Sequence, residues 1–465
     1  VAGPRAAPAS AERVVEVAVD AAGAAANRAF TYRVPADLEP LTPGEAVLIE
    51  FGRRQALGIV LGEGVAAPGI ETKPIVERVR ADGPLLPDLT IRLATWIAAH
   101  YLAPPALTLR AMLPPGMLER FELVAELRPQ PPGIDDPAEA AILAALESGP
   151  RPVRALAAPE GRAALLRRLR ALAGQGIVDL DWTLLAASAG PRWVRWVMAV
   201  EPGPPAGDRL GPGRPLGPRQ VALLDELRAA PAAGVPAPEL GGRHGASALA
   251  GLVRRGLVRV ETREAPRRPL AARAAGRRGG RPTGAELSVE QRRAVDAVGA
   301  AIERRDPTPV LLDGVTGGGK TTIYVELIER VLSAGRPALV LVPEIALALP
   351  LVDRLRADLD AGVALLHSGL SDGERADEWR RIRRGEIDVV VGTRLAILAP
   401  LHDLGLIVVD EEHDGAYKSD RTPRLQARDT AVALGRLAGA PVVLGSATPS
   451  VESEGFARMG TYRRH

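Results

Sequence analysis

The sequence has 465 residues, 46% of them hydrophobic, and a formal net charge of +3; that is room for about three or four packed domains, and the charge alone says little about a nucleic-acid partner. No run of 18 or more apolar residues occurs, so no transmembrane helix is expected, and the first twenty residues alternate charged and apolar positions rather than forming a signal peptide. The absence of cysteine excludes disulfides and any Cys-based zinc site within this stretch, and the six histidines are scattered. Basic residues are nearly all Arg, and only Lys73, Lys320 and Lys418 are Lys. With heavy use of Ala, Gly and Pro, this looks like the drift of a GC-rich genome, so a retained Lys carries more weight than one more Arg. The first residue is Val rather than Met, and we expect the true N-terminus to lie upstream.

In chain order, residues 12–120 read as one unit. Val15, Val17 and Val19 alternate with polar or small residues, and Val47–Phe51 and Leu57–Leu61 follow as further short strands. Residues 88–102, around Leu93, Trp96 and Ile97, have helical spacing, and the Pro-rich stretch after Leu113 closes the unit. Two similar modules follow at 136–183 and 217–262. Leu172, Gly176, Val178 and Leu180 match Leu252, Gly256, Val258 and Val260 at an offset of 80. Helices closed by a Gly-apolar-apolar strand fit a winged helix; helical connector modules are the other reading. Residues 184–216, rich in Pro and Gly, read as a linker. Residues 263–285 read as a second linker or, because of Arg267, Arg268, Arg273, Arg277, Arg278 and Arg281, as a segment touching phosphates.

From residue 286 to 465 the pattern changes. Short apolar runs (Val310–Leu312, Ala338–Val342, Val363–Leu366, Val389–Val391, Leu406–Val409 and Pro441–Leu444) alternate with helical segments. Such buried strands predict a doubly wound, RecA-like α/β lobe on a parallel sheet, with its site at the strand C-termini. The expected fold is therefore multidomain: a small β-rich N-terminal domain, winged-helix-like α/β modules and a P-loop NTPase lobe.

Three motifs carry chemistry. Gly314-Val-Thr-Gly-Gly-Gly319-Lys320-Thr321 follows a strand and precedes a helix, as a P-loop must. Thr316, Gly317, Gly318, Gly319 and Thr322 belong to the cradle whose backbone N–H groups take phosphates at a helix N-terminus. Lys320 would reach the β- and γ-phosphates, and the Thr321 hydroxyl would bind Mg²⁺. About 90 residues on, Asp410-Glu411-Glu412-His413 caps an apolar strand. Asp410 would hold Mg²⁺ and Glu411 would polarise the attacking water, because phosphoryl transfer needs placement and charge neutralisation above all. Gly445-Ser446-Ala447-Thr448-Pro449 follows the last strand, where its hydroxyls, with His413, could link the γ-phosphate state to neighbouring elements.

Together these motifs mark a superfamily 2 helicase or translocase lobe, and the residues between them resemble the PriA family of bacterial replication-restart helicases. Leu341-Val-Pro343-Glu344-Ile345, Leu366-His-Ser-Gly-Leu370 with Glu374-Arg375, Val391-Gly-Thr393-Arg394 and Asp410–Asp414 with Tyr417-Lys418 are similar to its motifs. Leu287-Ser-Val-Glu-Gln291 resembles the motif upstream of the P-loop, with Gln291 as a reader of adenine. Phe30-Thr-Tyr32, Pro43-Gly44, Phe51–Arg54, Thr72-Lys73-Pro74 and His100–Ala103 resemble the family's N-terminal domain. Thr31 stands where the family has Asp, and the loop after Tyr417 lacks the family's further aromatics.

The resemblance implies an ATP-dependent 3′→5′ DNA helicase that recognises stalled forks and initiates primosome assembly, using ATP and Mg²⁺. It implies a 3′-end pocket lined by Phe30, Gly44 and Lys73, and DNA contacts at Pro343, Glu344, Thr393, Arg394, Tyr417 and Lys418. Implied partners are forked and single-stranded DNA, primosome and helicase-loading proteins and the single-stranded-DNA-binding protein. A cytoplasmic monomer without membrane contact is expected. The family continues with a Cys-rich zinc module and a second lobe. We therefore expect a fragment ending at His465 that binds ATP–Mg²⁺ and DNA without unwinding, with zinc only in a downstream module. Two rival readings are a catalytically weak fork-binding scaffold and a different superfamily 2 translocase.

Overall fold

The computed structural model describes residues 13–19, 28–52, 54–66, 69, 71–79, 83–115, 117, 121–128, 136–147, 149, 151–158, 161–184, 193–200, 215–231, 233–264, 267–270, 287–315, 317–359 and 361–465. The chain forms two compact units, residues 1–189 together with 268–465, and residues 190–267.

The N-terminal domain is an antiparallel sheet of β1 (Val14–Val19), β2 (Ala29–Arg33), β3 (Ala46–Phe51), β4 (Arg54–Glu63) and β5 (Ile75–Arg78), in the order β2-β1-β4-β3-β5. The period of two sorts its side chains. Val15, Val17, Val19, Val47, Ile49 and Val60 meet Tyr32 and Ile75 in a core of their own. Ala18, Ala46, Leu48, Leu57 and Ile59 face the other way, onto helices α1 (Asp88–His100) and α2 (Pro105–Ala111). Gly44 makes this crossing possible. At φ +88° its carbonyl accepts from the Leu85 and Leu86 amides, and a Cβ there would lie 1.9 Å from the Leu86 carbonyl oxygen.

Next comes a module of β6 (Phe121–Leu127), α3 (Pro137–Leu146), β7 (Arg151–Pro152), α4 (Arg162–Gly174) and β8 (Val178–Leu184), its sheet ordered β7-β6-β8. The separate unit repeats the plan with β9 (Trp193–Ala199), α5 (Pro218–Ala229), β10 (Val235–Pro236), α6 (Ala237–His244), α7 (Ala246–Arg254) and β11 (Val258–Glu264), ordered β10-β9-β11. Gly176 and Gly256, at φ +72° and +68°, make the same left-handed exit from the last helix of each. Each module opens with a strand that precedes its expected boundary. β9 lies inside the 184–216 stretch expected to be a linker, because β11 needs a long antiparallel partner and Trp193–Ala199 supplies it from Val258 to Glu264. Arg273, Arg277, Arg278 and Arg281 lie outside the described residues.

The last region contains α8 (Val289–Glu303), β12 (Val310–Asp313), α9 (Lys320–Ser333), β13 (Ala338–Leu341), α10 (Ile345–Asp358), β14 (Val363–Leu366) and α11 (Asp372–Arg383). It continues through β15 (Val389–Gly392), β16 (Leu406–Asp410), α12 (Ala427–Ala438), β17 (Val442–Ser446), α13 (Val451–Arg458) and β18 (Arg463–Arg464). Its seven strands form a parallel sheet in the order β14-β15-β13-β16-β17-β12-β18. Helices cover both faces, so alternate residues of each strand enter two different cores. Val340, Val391, Val408 and Val443 face α8, α9 and α10. Leu339, Leu341, Val390, Ile407, Val409 and Leu444 face α11 and α12, in the same cluster that contains Leu89, Leu93 and Ile97 of α1 and Leu109 of α2.

The N-terminal domain and the lobe thus share one continuous core. Polar contacts fasten its rim. Trp379 Nε1 donates to the Met112 carbonyl at 2.8 Å, Arg383 to the Pro84 carbonyl at 2.6 Å, and Arg92 to the Leu437 carbonyl at 2.9 Å. The Tyr101 hydroxyl accepts from the Gln426 amide at 3.1 Å, at the entry to α12. Among the described residues no helix is long and apolar enough to cross a membrane.

Candidate nucleotide site and nucleic-acid cleft

The P-loop wraps from the end of β12 to the first turn of α9. Gly317 and Gly319 sit at φ +77° and +81°, conformations that a side chain would strain. Lys320 folds back over the loop and donates to the Gly314 carbonyl at 2.9 Å. Gln291 caps α8, its side-chain oxygen accepting from the Ser288 amide at 2.9 Å, and its Nε2 donates to the Gly318 carbonyl at 3.1 Å. The sequence placed Gln291 beside the adenine; in this structure both ends of its amide are engaged, and it ties α8 to the loop. Thr321 follows Lys320 in the first turn, while the Thr322 hydroxyl accepts from Arg354 at 3.3 Å. Thr316 lies outside the described residues.

Strand order brings the other motifs to the same crevice. β17 lies between β12 and β16, with Ser446 paired to Asp313 and Asp410 paired to Gly445. One Asp410 oxygen accepts from the Tyr324 hydroxyl at 2.8 Å. Gly445 leaves room for that contact, since a Cβ would fall 1.8 Å from the Tyr324 oxygen. Burial raises the Asp410 pKa above the ordinary carboxylate value, against the Tyr324 hydrogen bond that lowers it. The next residue, Glu411, is held at φ +45°, which costs a non-glycine residue about 1–2 kcal/mol. That turn brings its carboxylate to 3.6 Å from Lys320 Nζ and 3.7 Å from His413 Nδ1. His413 Nδ1 lies 2.7 Å from Ser446 Oγ, and Nε2 lies 3.4 Å from Thr448 Oγ1. With the proton assigned to Nε2, both ring nitrogens have a partner.

Glu412 was not singled out by the sequence, yet it anchors the turn. It is fully buried and accepts from the Ser450 amide at 2.6 Å, Ser450 Oγ at 2.9 Å, Ser453 Oγ at 2.8 Å and Arg428 at 3.2 Å. Arg428 also donates to Ser450 Oγ at 2.7 Å and to Asp429 at 3.0 Å. A buried charge this well bonded ties β16, α12 and α13 together and holds Glu411 in its strained conformation. The available signal was the third acid of the Asp-Glu-Glu run, together with Ser450 and Ser453 three apart.

The residues assigned to DNA contact divide into two groups. Pro343, Glu344, Thr393 and Arg394 line one open cleft of about 900 Å³ along the strand ends, with Arg110, His367, Arg375 and Arg421 on its walls. Arg394 also donates to the Lys418 carbonyl at 3.0 Å and to Asp420 at 3.3 Å, pinning the 416–420 loop. Tyr417 corrects the expectation. It is fully buried, and its hydroxyl donates to the Asp410 carbonyl at 2.6 Å, so it has no free face for a base. Lys418 is exposed and donates to the Arg424 carbonyl at 2.8 Å. In the N-terminal domain Phe30 stacks edge-on against Phe51 at 5.2 Å, and Lys73, half exposed, stands 3.9 Å from Glu50. Gly44 is buried in the turn described above, so it shapes the domain and presents no surface to a ligand.

The donor set suits Mg²⁺ held mainly by a nucleotide. It offers one strand-end carboxylate and one hydroxyl, and among the described residues no group of three or more His, Asp or Glu gathers that could hold a metal.

Fold and crevice define the class: a P-loop motor lobe that carries a β-rich domain on a shared core. Comparison with known proteins gives the kin. A family model for the 3′DNA-binding domain (3′BD) of PriA matches residues 16–114, and one for the DEAD/DEAH box helicase matches residues 290–455. Replication restart protein PriA of Bacillus subtilis (strain 168) is 32% identical over 454 residues, covering 96% of this chain and 54% of that protein. Its counterpart from Synechocystis is 32% identical over 447 residues, covering 91% of this chain and 50% of that protein. The chain is a relative of replication restart protein PriA, with a helicase domain that implies the use of ATP and Mg²⁺, and it spans about half the length of these curated relatives. Among solved structures, RecG bound to a three-way DNA junction shares 23% identity at a TM-score of 0.30, over 38% of this chain and 23% of that chain.

Proposed function

We propose that this chain is the nucleotide-binding and fork-binding part of an ATP-dependent 3′→5′ DNA helicase of replication restart, which recognises stalled forks and initiates primosome assembly. One observation carries the reading: the Lys320 ammonium on the Gly314 carbonyl, 3.6 Å from Glu411, in the crevice that also receives Asp410. Lys320 exchanges that carbonyl for the phosphates of ATP, and the amides at the start of α9 cradle them. Thr321 and Asp410 hold Mg²⁺, which when bound neutralises charge on the phosphate oxygens. Glu411 orients the attacking water, and Gln291 turns its amide from Gly318 to the adenine. His413, Ser446 and Thr448 connect the phosphate end to the neighbouring strand.

Single-stranded DNA lies in the cleft beside Pro343, Glu344, Thr393 and Arg394, and Phe30 and Lys73 meet the 3′ end at a fork. Kinship with PriA supports the fork, the direction, the primosome and helicase-loading partners, the single-stranded-DNA-binding protein and a cytoplasmic monomer.

The test is ATP binding and turnover by the 465-residue chain, with and without forked DNA, in the parent, Lys320→Ala and Glu411→Gln. Lys320→Ala should lose about 10- to 100-fold in nucleotide affinity, the size of a charged hydrogen bond to phosphate. Glu411→Gln should keep affinity and lose turnover. Unchanged affinity in Lys320→Ala would sink the site. A second reading, a fork-binding scaffold of weak catalysis, is favoured by the burial of Tyr417, which leaves residues 418–425 without an aromatic side chain to stack on bases. Nucleotide and fork binding without DNA-stimulated turnover would select it.

A further inference from the structure

The cleft has a wall that the helicase motifs do not supply. Its lining runs past the ends of β14, β15, β13 and β16, adjacent strands of the sheet, and closes against the end of α2 at Arg110, Ala111, Leu113 and Pro115. Three inter-strand steps of about 4.8 Å make roughly 14 Å of track, a shape for an extended chain rather than a lone anion. An adjoining recess lined by Met112, Leu366, Trp379 and Leu398 holds only about 60 Å³. That is room for about two waters, so a base cannot enter it and the strand stays in the open cleft.

Arg375 borders both spaces. Its neighbours on α11 are neutralised: Arg380 pairs with Asp377, and Arg381 with Glu378 at 2.6 Å. Arg375 has no acidic partner among the described residues; its Nε, like those of Arg380 and Arg381, is buried without an acceptor, so its terminal nitrogens are the ones that face a ligand in the cleft. A guanidinium that no carboxylate neutralises, bordering an open cleft, gains a charge-assisted hydrogen bond when a phosphate oxygen meets it. The lining carries Arg110, Arg375, Arg394 and Arg421 against Glu344 and Asp420. Arg394 already bonds Asp420 and two loop carbonyls. His367, next to Arg375, has its pKa lowered by burial.

We propose that Arg375, with Arg110 of the N-terminal domain across the cleft, binds backbone phosphates of the single DNA strand, so that α2 is one wall of the motor's track. This rests on the reading that single-stranded DNA occupies the cleft. The shared core holds α2 and α11 in fixed register, through the Trp379–Met112 hydrogen bond, so the two cations act as one clamp.

The experiment measures binding of a labelled single-stranded oligonucleotide by the 465-residue chain across a salt series, for the parent, Arg375→Gln, Arg110→Gln and Arg375→Lys. Arg375→Gln and Arg110→Gln should each flatten the salt dependence by about 0.7 in log–log slope, one phosphate on a single strand, and weaken binding several-fold. Arg375→Lys should restore the slope, and ATP affinity should not change in any of them. Parental slope and affinity in Arg375→Gln would overturn the clamp while leaving DNA binding by the chain intact. A parent that binds no single strand would overturn the cleft reading and the clamp with it. Should Arg375→Gln fail to fold, Arg110→Gln, on an exposed position of α2, decides alone, and an unchanged slope there overturns the clamp.

Discussion

The two sheets of the large unit handle charge in opposite ways. In the N-terminal sheet the candidate ligand residues stand at the rim. Lys73 is half exposed and touches one carboxylate at 3.9 Å, and Phe30 leans on Phe51. In the parallel sheet the polar residues at the strand ends are locked to one another, with Glu412 buried under four donors and Asp410 held by Tyr324. On the proposed function, the difference follows from what each site would do. A site that places a water against a phosphate needs geometry fixed within fractions of an ångström, whereas a site that greets a strand end needs exposed charge and an apolar face.

That contrast can be broken at three places, from the largest expected effect down. Arg428→Ala leaves Glu412 charged and buried without its cation, and should lower unfolding free energy by about 3–5 kcal/mol, read as a drop in the urea midpoint. A loss below about 1 kcal/mol would mean the network contributes little to holding the turn. Gly44→Ala forces a Cβ onto the Leu86 carbonyl at a positive φ, and should cost about 1–3 kcal/mol with fork binding retained in the folded fraction. Selective loss of fork binding at unchanged stability would return Gly44 to the ligand surface. Lys73→Glu should shift stability by less than about 1 kcal/mol, as expected of an exposed pair, while reducing affinity several-fold for forks with an exposed 3′ end. An equal loss on plain single strands would reduce Lys73 to a general phosphate contact.

The same contrast explains what could be read from the amino-acid sequence. The parallel sheet was legible because its strands, covered on both faces, are unbroken apolar runs such as Leu406–Val409. The meeting of Lys320, Asp410 and Glu411 at one crevice was legible because each sits in a motif whose spacing is local. β6 and β9 were not, because a strand of mixed composition is defined by its partner, and β8 and β11 lie dozens of residues further on. Tyr417 was misread for a related reason. An aromatic ring beside a motif fits a base or a core equally well, and only burial separates the two. Glu412 escaped because its partners, Arg428, Ser450 and Ser453, come from two later helices.

The shared core also sets a timetable for synthesis. Arg92 on α1 meets Leu437 on α12 across 345 residues of chain. At about 5–20 residues per second, the outward face of α1 leaves the ribosome roughly 20–70 s before its cover exists. During that interval the nascent N-terminal domain displays apolar surface that a chaperone could occupy, and the domain settles only when the last third of this sequence has been made.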